Sequence, residues 1–292
     1  MDLHRLHLHG AEAVIARHGA ELQALRLGDT DLLWNAGPLW PRHAPLLFPV
    51  VGGLKGDLLR HRGEAHSMPR HGFARDRAFT WAERTPAGCA LELWDDEDTR
   101  KTYPFAFHLV IRYALEASGL RMELELHNPA STPLPASLGL HPAFLWPLTP
   151  ELSKAAHRLV FRADEPGPMH RLDGRGLLAP EGHATPILGR DLALHEDLFR
   201  EDALIFLQSR SRSLRYEVPG GPRLVLAWEG FPHLGLWAKP DPGPSFLCIE
   251  PWAGHADPTD WEGDFSEKPG VFLVAPGATR SWSFSVALGG EA

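Results

Sequence analysis

Between Phe105 and Leu126 the chain keeps a period of two, and this stretch restricts the fold more than any other. Phe105, Phe107, Leu109, Ile111, Tyr113 and Leu115 are interleaved with Ala106, His108, Val110, Arg112, Ala114 and Glu116, which turns one face of a strand toward a core. Ala117-Ser118-Gly119 can reverse the chain, and Leu120, Met122, Leu124 and Leu126 then alternate with Arg121, Glu123, Glu125 and His127, so an antiparallel hairpin is predicted. The alternation returns at the C-terminus, where Trp282, Phe284, Val286 and Leu288 are separated by Ser283, Ser285 and Ala287. Shorter strands are expected at Leu3 to His9, Ala13 to Arg17, Glu21 to Leu27, Ala78 to Glu83, Cys89 to Trp94, Arg158 to Arg162, Leu204 to Leu207, Leu214 to Val218, Arg223 to Trp228, Leu234 to Ala238 and Phe246 to Ile249. Glycines and prolines separate them, and no stretch offers a 12-residue amphipathic helix, although Glu196 to Ala203 suits a turn or two. Many short strands with turn signals between them predict an all-β sandwich or barrel.

A chain of 292 residues is long enough for two domains, but β-sandwiches often exceed about 200 residues as one. No repeat or low-complexity block divides it, and the proline-rich Pro240 to Pro244 is too short a linker. One domain over 1–292 is the expectation. The 29 Lys and Arg against 37 Asp and Glu leave a net charge of −8, which offers no basic surface for nucleic acid. There is no apolar run of about 18 residues, and Met1-Asp2-Leu3-His4-Arg5 does not open a signal peptide; a soluble cytoplasmic protein with no membrane partner is expected. Cys89 and Cys248 are too few and too distant for a disulfide framework or thiolate metal site.

Three polar clusters interrupt apolar or turn-rich surroundings. Leu46-Leu47-Phe48-Pro49-Val50-Val51-Gly52-Gly53 precedes Ser67-Met68-Pro69-Arg70-His71-Gly72-Phe73-Ala74-Arg75-Asp76; the others are Leu138-Gly139-Leu140-His141-Pro142-Ala143-Phe144 and Phe246-Leu247-Cys248-Ile249-Glu250-Pro251-Trp252. In each, an ionisable side chain is followed by glycine or proline and an aromatic, the pattern of a strand end facing a cleft. Glutamate within Cys-Ile-Glu-Pro-Trp is unusual, because glutamate is seldom buried without a partner and burial raises its pKa. A general base becomes poised near neutrality in this way.

Phe-Pro-Val-Val-Gly-Gly, Met-Pro-x-His-Gly-Phe-Ala-Arg, Gly-x-His-Pro-Ala-Phe and Cys-Ile-Glu-Pro-Trp, in this order from Phe48 to Trp252, resemble the aldose 1-epimerase (mutarotase) family in its bacterial LacX-like branch. The resemblance implies a large antiparallel β-sandwich, the galactose mutarotase-like supersandwich, that interconverts the α and β anomers of a free sugar without cofactor or metal. It assigns Glu250 as general base and His141 as general acid, on different sides of the sugar ring, and His71 as a second histidine hydrogen-bonding the ring side. Asp202, in Leu198-Phe199-x-x-Asp202-Ala203-Leu204-Ile205-Phe206, matches a sugar-hydroxyl acceptor. Relatives often carry arginine where this chain has Gly53, and Lys55 or Arg75 is the candidate replacement. The galactose-processing branch has Asn before its acid histidine and Tyr-Phe after it, whereas Leu140 and Pro142-Ala143-Phe144 stand here.

Ordinary explanations compete for several of these residues. With 17 histidines in the chain, a lone one is usually structural. Glu250 could pair with an arginine, and Arg75 with Asp76. His7 and His9 share a strand face with no third and fourth ligand, so no metal is expected there, and Asp95-Asp96-Glu97-Asp98 reads as a solvated loop rather than a calcium site. Trp237 and Trp252 are the tryptophans placed beside a sugar. Three other functions compete: mutarotation of a hexose 6-phosphate, using Arg70, Arg75 and Lys55; a non-catalytic carbohydrate-binding protein on the same fold, which needs no matched acid and base; and a glycoside hydrolase, which needs a second carboxylate.

Overall fold

The computed structural model describes residues 2–239 and 245–289; the proline-rich Pro240 to Pro244 lies outside them. The predicted hairpin is the centre of the larger sheet. His108–Glu116 pairs with Gly119–His127, with Glu116 opposite Gly119, so Ala117 and Ser118 alone make the turn, and Phe105 and Phe107 precede the strand although both are buried. This sheet has nine strands, in the order Asp191–Ala193, Arg158–Phe161, Ser213–Glu217, Arg223–Glu229, Thr279–Leu288, Gly119–His127, His108–Glu116, Gly88–Trp94 and Thr80–Arg84. The C-terminal alternation is thus a central strand, flanked by the hairpin and by Arg223–Glu229.

A second sheet carries the His141 and Glu250 clusters, and the Ser67 to Asp76 cluster reaches it from outside. Its order is Leu204–Phe206, His233–Trp237, Phe246–Ala253, Leu138–Leu140 and Leu46–Leu47, with Ala143–Leu145 pairing separately onto Phe246–Ala253. Every strand pairing in both sheets is antiparallel. Leu247 and Ile249 of this sheet join Leu124, Leu126 and Leu226 of the larger one in a common apolar cluster, which is the packing of a sandwich. The N-terminal strands Leu3–Leu8, Ala11–Ala16, Leu22–Leu27 and Thr30–Asp31 form a further antiparallel sheet. Among the described residues no helix is long and apolar enough to cross a membrane.

Two segments differ from what the sequence predicts. Asp95 to Asp98 is not simply a loop: Glu97–Thr102 is a short α-helix, capped by the Asp96 carboxylate accepting from the Thr99 backbone N–H while the Thr99 hydroxyl accepts from that of Asp96. This reciprocal cap sustains a helix too short to show an apolar face. The strand expected to stop at Ile249 runs through Glu250 and Pro251 to Ala253. Proline is normally excluded from inner strands because it donates nothing to a ladder. Here one flanking partner ends at Ala143, opposite Cys248, and the other at Gly139, opposite Trp252, so Pro251 falls where that ladder is open.

Candidate functional site

That opening creates the site. Gly139 pairs with Trp252 and Ala143 with Cys248, so continuing the same register sets His141 opposite Glu250. His141-Pro142 leaves the ladder at this point, and the two side chains meet: His141 Nε2 lies 3.3 Å from Glu250 Oε2, an ion-pair distance not aligned as a hydrogen bond. On its other flank Glu250 pairs with Gly235. A side chain at Gly235 would begin 2.4 Å from the Trp252 ring, so the glycine makes room for the indole. Along Phe246–Ala253, Leu247 and Ile249 face the core between the sheets, while Phe246, Cys248, Glu250 and Trp252 face the opposite way. All eight residues are buried, because a cover closes over this second face.

His71 reaches the site from a left-handed turn, with φ of 67° at His71 and 71° at Gly72. A Cβ at Gly72 would lie 2.2 Å from the Phe48 carbonyl oxygen, so only glycine fits that approach. The His71 backbone N–H donates to the Gly52 carbonyl at 2.9 Å, and the Gly52 N–H donates to His71 Nδ1 at 3.1 Å. A nitrogen that accepts carries no proton, so the ring is neutral with its hydrogen on Nε2. His71 therefore offers one N–H donor. Its ring lies edge-on to His141, with centroids 5.8 Å apart.

Around these three residues lies a cavity of about 320 Å3, within the range of roughly 300–1,000 Å3 usual for small-molecule sites. All five residues singled out from the sequence, Glu250, His141, His71, Arg75 and Asp202, line it, as do Trp237 and Trp252. Lys55 does not: its ammonium bonds Glu262 at 2.6 Å. The space beside Gly53 is approached instead by Arg70, whose Nε lies 3.9 Å from where a Gly53 side chain would begin. Arg75 combines both roles weighed for it, lining the cleft while its guanidinium donates to the Arg70 carbonyl and lies 3.6 Å from Asp76.

Of the aromatic and charged side chains in the wall, two escaped the sequence reading. Trp40 stacks on His141 at 5.1 Å, and Arg42 enters the wall while bonded to Asp76 at 2.9 Å. Neither stands in a distinctive motif, since both lie in an irregular segment brought to the site only by the fold. Cys248, in the strand Phe246–Ala253, was set aside as a ligand on the sequence but lies beside the pair. One ligand atom each from His141, Cys248 and Glu250 lies within 4.8 Å of the others. The thiol is wholly buried, and burial holds its pKa well above the usual value, so it is a poor thiolate donor.

Burial governs the electrostatics. It raises the Glu250 carboxyl well above the ordinary carboxylate range, reinforced by the negative charge of Asp202. The Trp252 indole pulls the other way but lies outside hydrogen-bonding geometry. Burial likewise pushes His141 down to about 3, with its own backbone opposing and Arg75 and Arg42 adding to the fall. His71 is lowered well below the usual histidine value by burial, then by His141 and the arginines. Burial thus shifts both groups of the Glu250–His141 pair toward their uncharged forms, a protonated carboxyl beside a neutral imidazole. The two sit side by side, not across a ring as first expected, and this suits two oxygens attached to one carbon.

The family model for aldose 1-epimerase matches residues 2–270. Protein LacX, plasmid, of Lactococcus lactis subsp. lactis is 29% identical over 283 residues, covering 92% of this chain and 94% of that protein. Among solved structures, a galactose mutarotase related enzyme from Lactobacillus acidophilus superposes with a TM-score of 0.89 at 28% identity, covering 99% of this chain and 97% of the other. A galactose mutarotase-like protein from Lactobacillus casei gives a TM-score of 0.89 at 26% identity, with 98% and 100% covered.

Proposed function

The chain belongs to the aldose 1-epimerase family, and from that premise we propose that it interconverts the α and β anomers of a free aldose by general acid and base catalysis. The carrying observation is the buried contact of 3.3 Å between His141 Nε2 and Glu250 Oε2 at the cleft wall. Ring opening removes the proton of the C1 hydroxyl and delivers another to the ring oxygen as the bond between C1 and that oxygen breaks. Both oxygens are bonded to C1, so adjacent groups serve them. Transfer of the pair's proton from Glu250 to His141 gives a carboxylate base and an imidazolium acid. Hydrogen bonds donated by the sugar favour the carboxylate.

Glu250 then accepts the hydroxyl proton, and His141 protonates the ring oxygen. The open aldehyde turns about the bond from C1 to C2, and reclosure reverses both transfers with the opposite configuration at C1. Each positioned proton transfer contributes about 10²- to 10⁴-fold. His71, restricted to donating from Nε2, orients the ring, and Asp202 accepts from a sugar hydroxyl. The indoles of Trp40, Trp237 and Trp252 give the apolar face of the sugar something to pack on.

The test is polarimetry of freshly dissolved pure anomers across a panel of aldoses. Acceleration of at least one sugar beyond its spontaneous rate supports the reading; no acceleration of any would sink it. One observation favours a second reading, in which the sugar is anionic, such as a hexose 6-phosphate. Arg42, Arg70 and Arg75 share the cleft wall, and Asp76 balances only the Arg42 and Arg75 side of that cluster. Phosphorylated sugars therefore belong in the same panel.

A further inference from the structure

Behind the cleft, Asp257 and Lys268 form a buried ion pair that proton transfer does not use. Their side chains are 3% and 1% exposed, and Lys268 Nζ lies 3.8 Å from Asp257 Oδ1. Burial raises the pKa of Asp257 and lowers that of Lys268 to about 8, where the Asp257 charge partly restores it. Such a pair is a weak device for stability, because apolar residues of similar volume often hold a fold equally well. Its connections suggest another use.

Asp257 is tied to the segment that orients His71. Its Oδ2 accepts the Lys55 backbone N–H at 2.8 Å, and its own N–H donates to the Gly53 carbonyl at 2.9 Å. These bonds grip the chain immediately after Gly52, whose N–H and carbonyl together set the His71 ring and backbone. Gly52 is also pressed against the residue before Asp257, since a Cβ there would lie 2.6 Å from that of Ala256. Lys268 fixes the far side by donating to the His255 carbonyl at 2.6 Å. Asp257 Oδ1 has no hydrogen bond among the described residues, so the ammonium is its compensation.

We propose that Asp257, neutralised by Lys268, is a positioning residue that sets the His71 ring through the backbone of Gly52 to Lys55. Only the kinetic consequence rests on the mutarotase reading; the orientation of His71 does not.

The test compares Asp257→Ala, which removes the acceptor and the charge, with Asp257→Asn, which keeps an oxygen for the Lys55 N–H. Long-range proton–nitrogen NMR of the whole protein reports the His71 tautomer, its signal assigned by its disappearance in His71→Asn. The wild type should show a bare Nδ1 and a protonated Nε2. Asp257→Ala should give a tautomer mixture and a kcat/KM about 10- to 100-fold lower, the scale set by small misplacements of a binding group. Asp257→Asn should recover much of both. A folded Asp257→Ala with the wild-type His71 spectrum would overturn the proposal, as would failure of both variants to fold, which would assign the pair to stability alone. If the wild type epimerises no sugar, the mutarotase reading falls while the spectrum still decides this one.

Discussion

Glu250 and His141 separate the roles of charge and shape. Glu250→Gln is nearly isosteric and keeps a hydrogen-bonding oxygen but cannot take a proton, so turnover should fall at least about 10²-fold with sugar affinity largely kept. Near wild-type turnover by this variant would remove Glu250 as the base. His141→Asn should lower kcat more than it weakens binding, whereas His71→Asn should damage both, if His71 donates an N–H to the ring as proposed. Equal small effects from the two would show that the acid lies elsewhere. The pH profile of kcat/KM follows from a pair competent with one proton. Burial opposes a second proton, with His141 held near 3, so the acid limb should lie well below the usual histidine range. Burial also raises Glu250, so the alkaline limb, where the pair loses its proton, should lie well above the usual carboxylate range. Both limbs belong to the coupled pair. An acid limb at the ordinary histidine value, near about 6.5, would mean that His141 titrates independently.

At the scale of elements, the site depends on a ladder opening and a left-handed turn. Gly72→Ala tests the turn. An alanine there must hold φ at 71° with its Cβ 2.2 Å from the Phe48 carbonyl oxygen. Backbone strain of this kind destabilises by about 1–3 kcal/mol before the clash is counted. Urea unfolding should show a loss at least that large, together with weaker sugar binding as His71 is displaced; unchanged stability would refute the requirement for glycine. The long hairpin was legible because its pattern is local: nine residues per strand alternate strictly enough to fix the buried face. Leu46–Leu47, Leu138–Leu140 and Ala143–Leu145, only two or three residues each, give no period to read. They form because neighbouring strands supply the hydrogen bonds, and this small sheet is the one that carries the site.

For the whole molecule, the substrate should act as a ligand of the folded state only. A sugar at about 100 times its Kd stabilises by roughly 2.7 kcal/mol, and each kcal/mol moves the melting temperature of a chain this large by about 2–4 °C. Melting curves with neutral and phosphorylated sugars should therefore separate the two substrate readings. A shift confined to anionic sugars and diminished by salt would place the arginines in binding, because screening acts over about 10 Å at 0.1 M. A shift with neutral aldoses, insensitive to salt, favours the simple mutarotase. Treatment with a strong chelator should leave the epimerisation rate unchanged, since both proton transfers are assigned to side chains. Loss of activity restored by added metal would contradict that assignment and direct attention to His141, Cys248 and Glu250.

The sequence by itself determined the class of fold, the long hairpin and a C-terminal strand, and singled out Glu250, His141, His71, Arg75 and Asp202 as candidate cleft residues. Strand period is a property of adjacent residues, and the four motifs keep an order that can be compared directly with a family. The tertiary structure decided what depends on distance across the chain. It set His141 opposite Glu250 through one shared register, left Pro251 in an open ladder, turned Lys55 away to Glu262 and brought Trp40 and Arg42 into the wall. It also decided the direction in which the ionisable groups of the site are shifted. Burial shifts a carboxyl or an imidazole only once distant segments have closed over it.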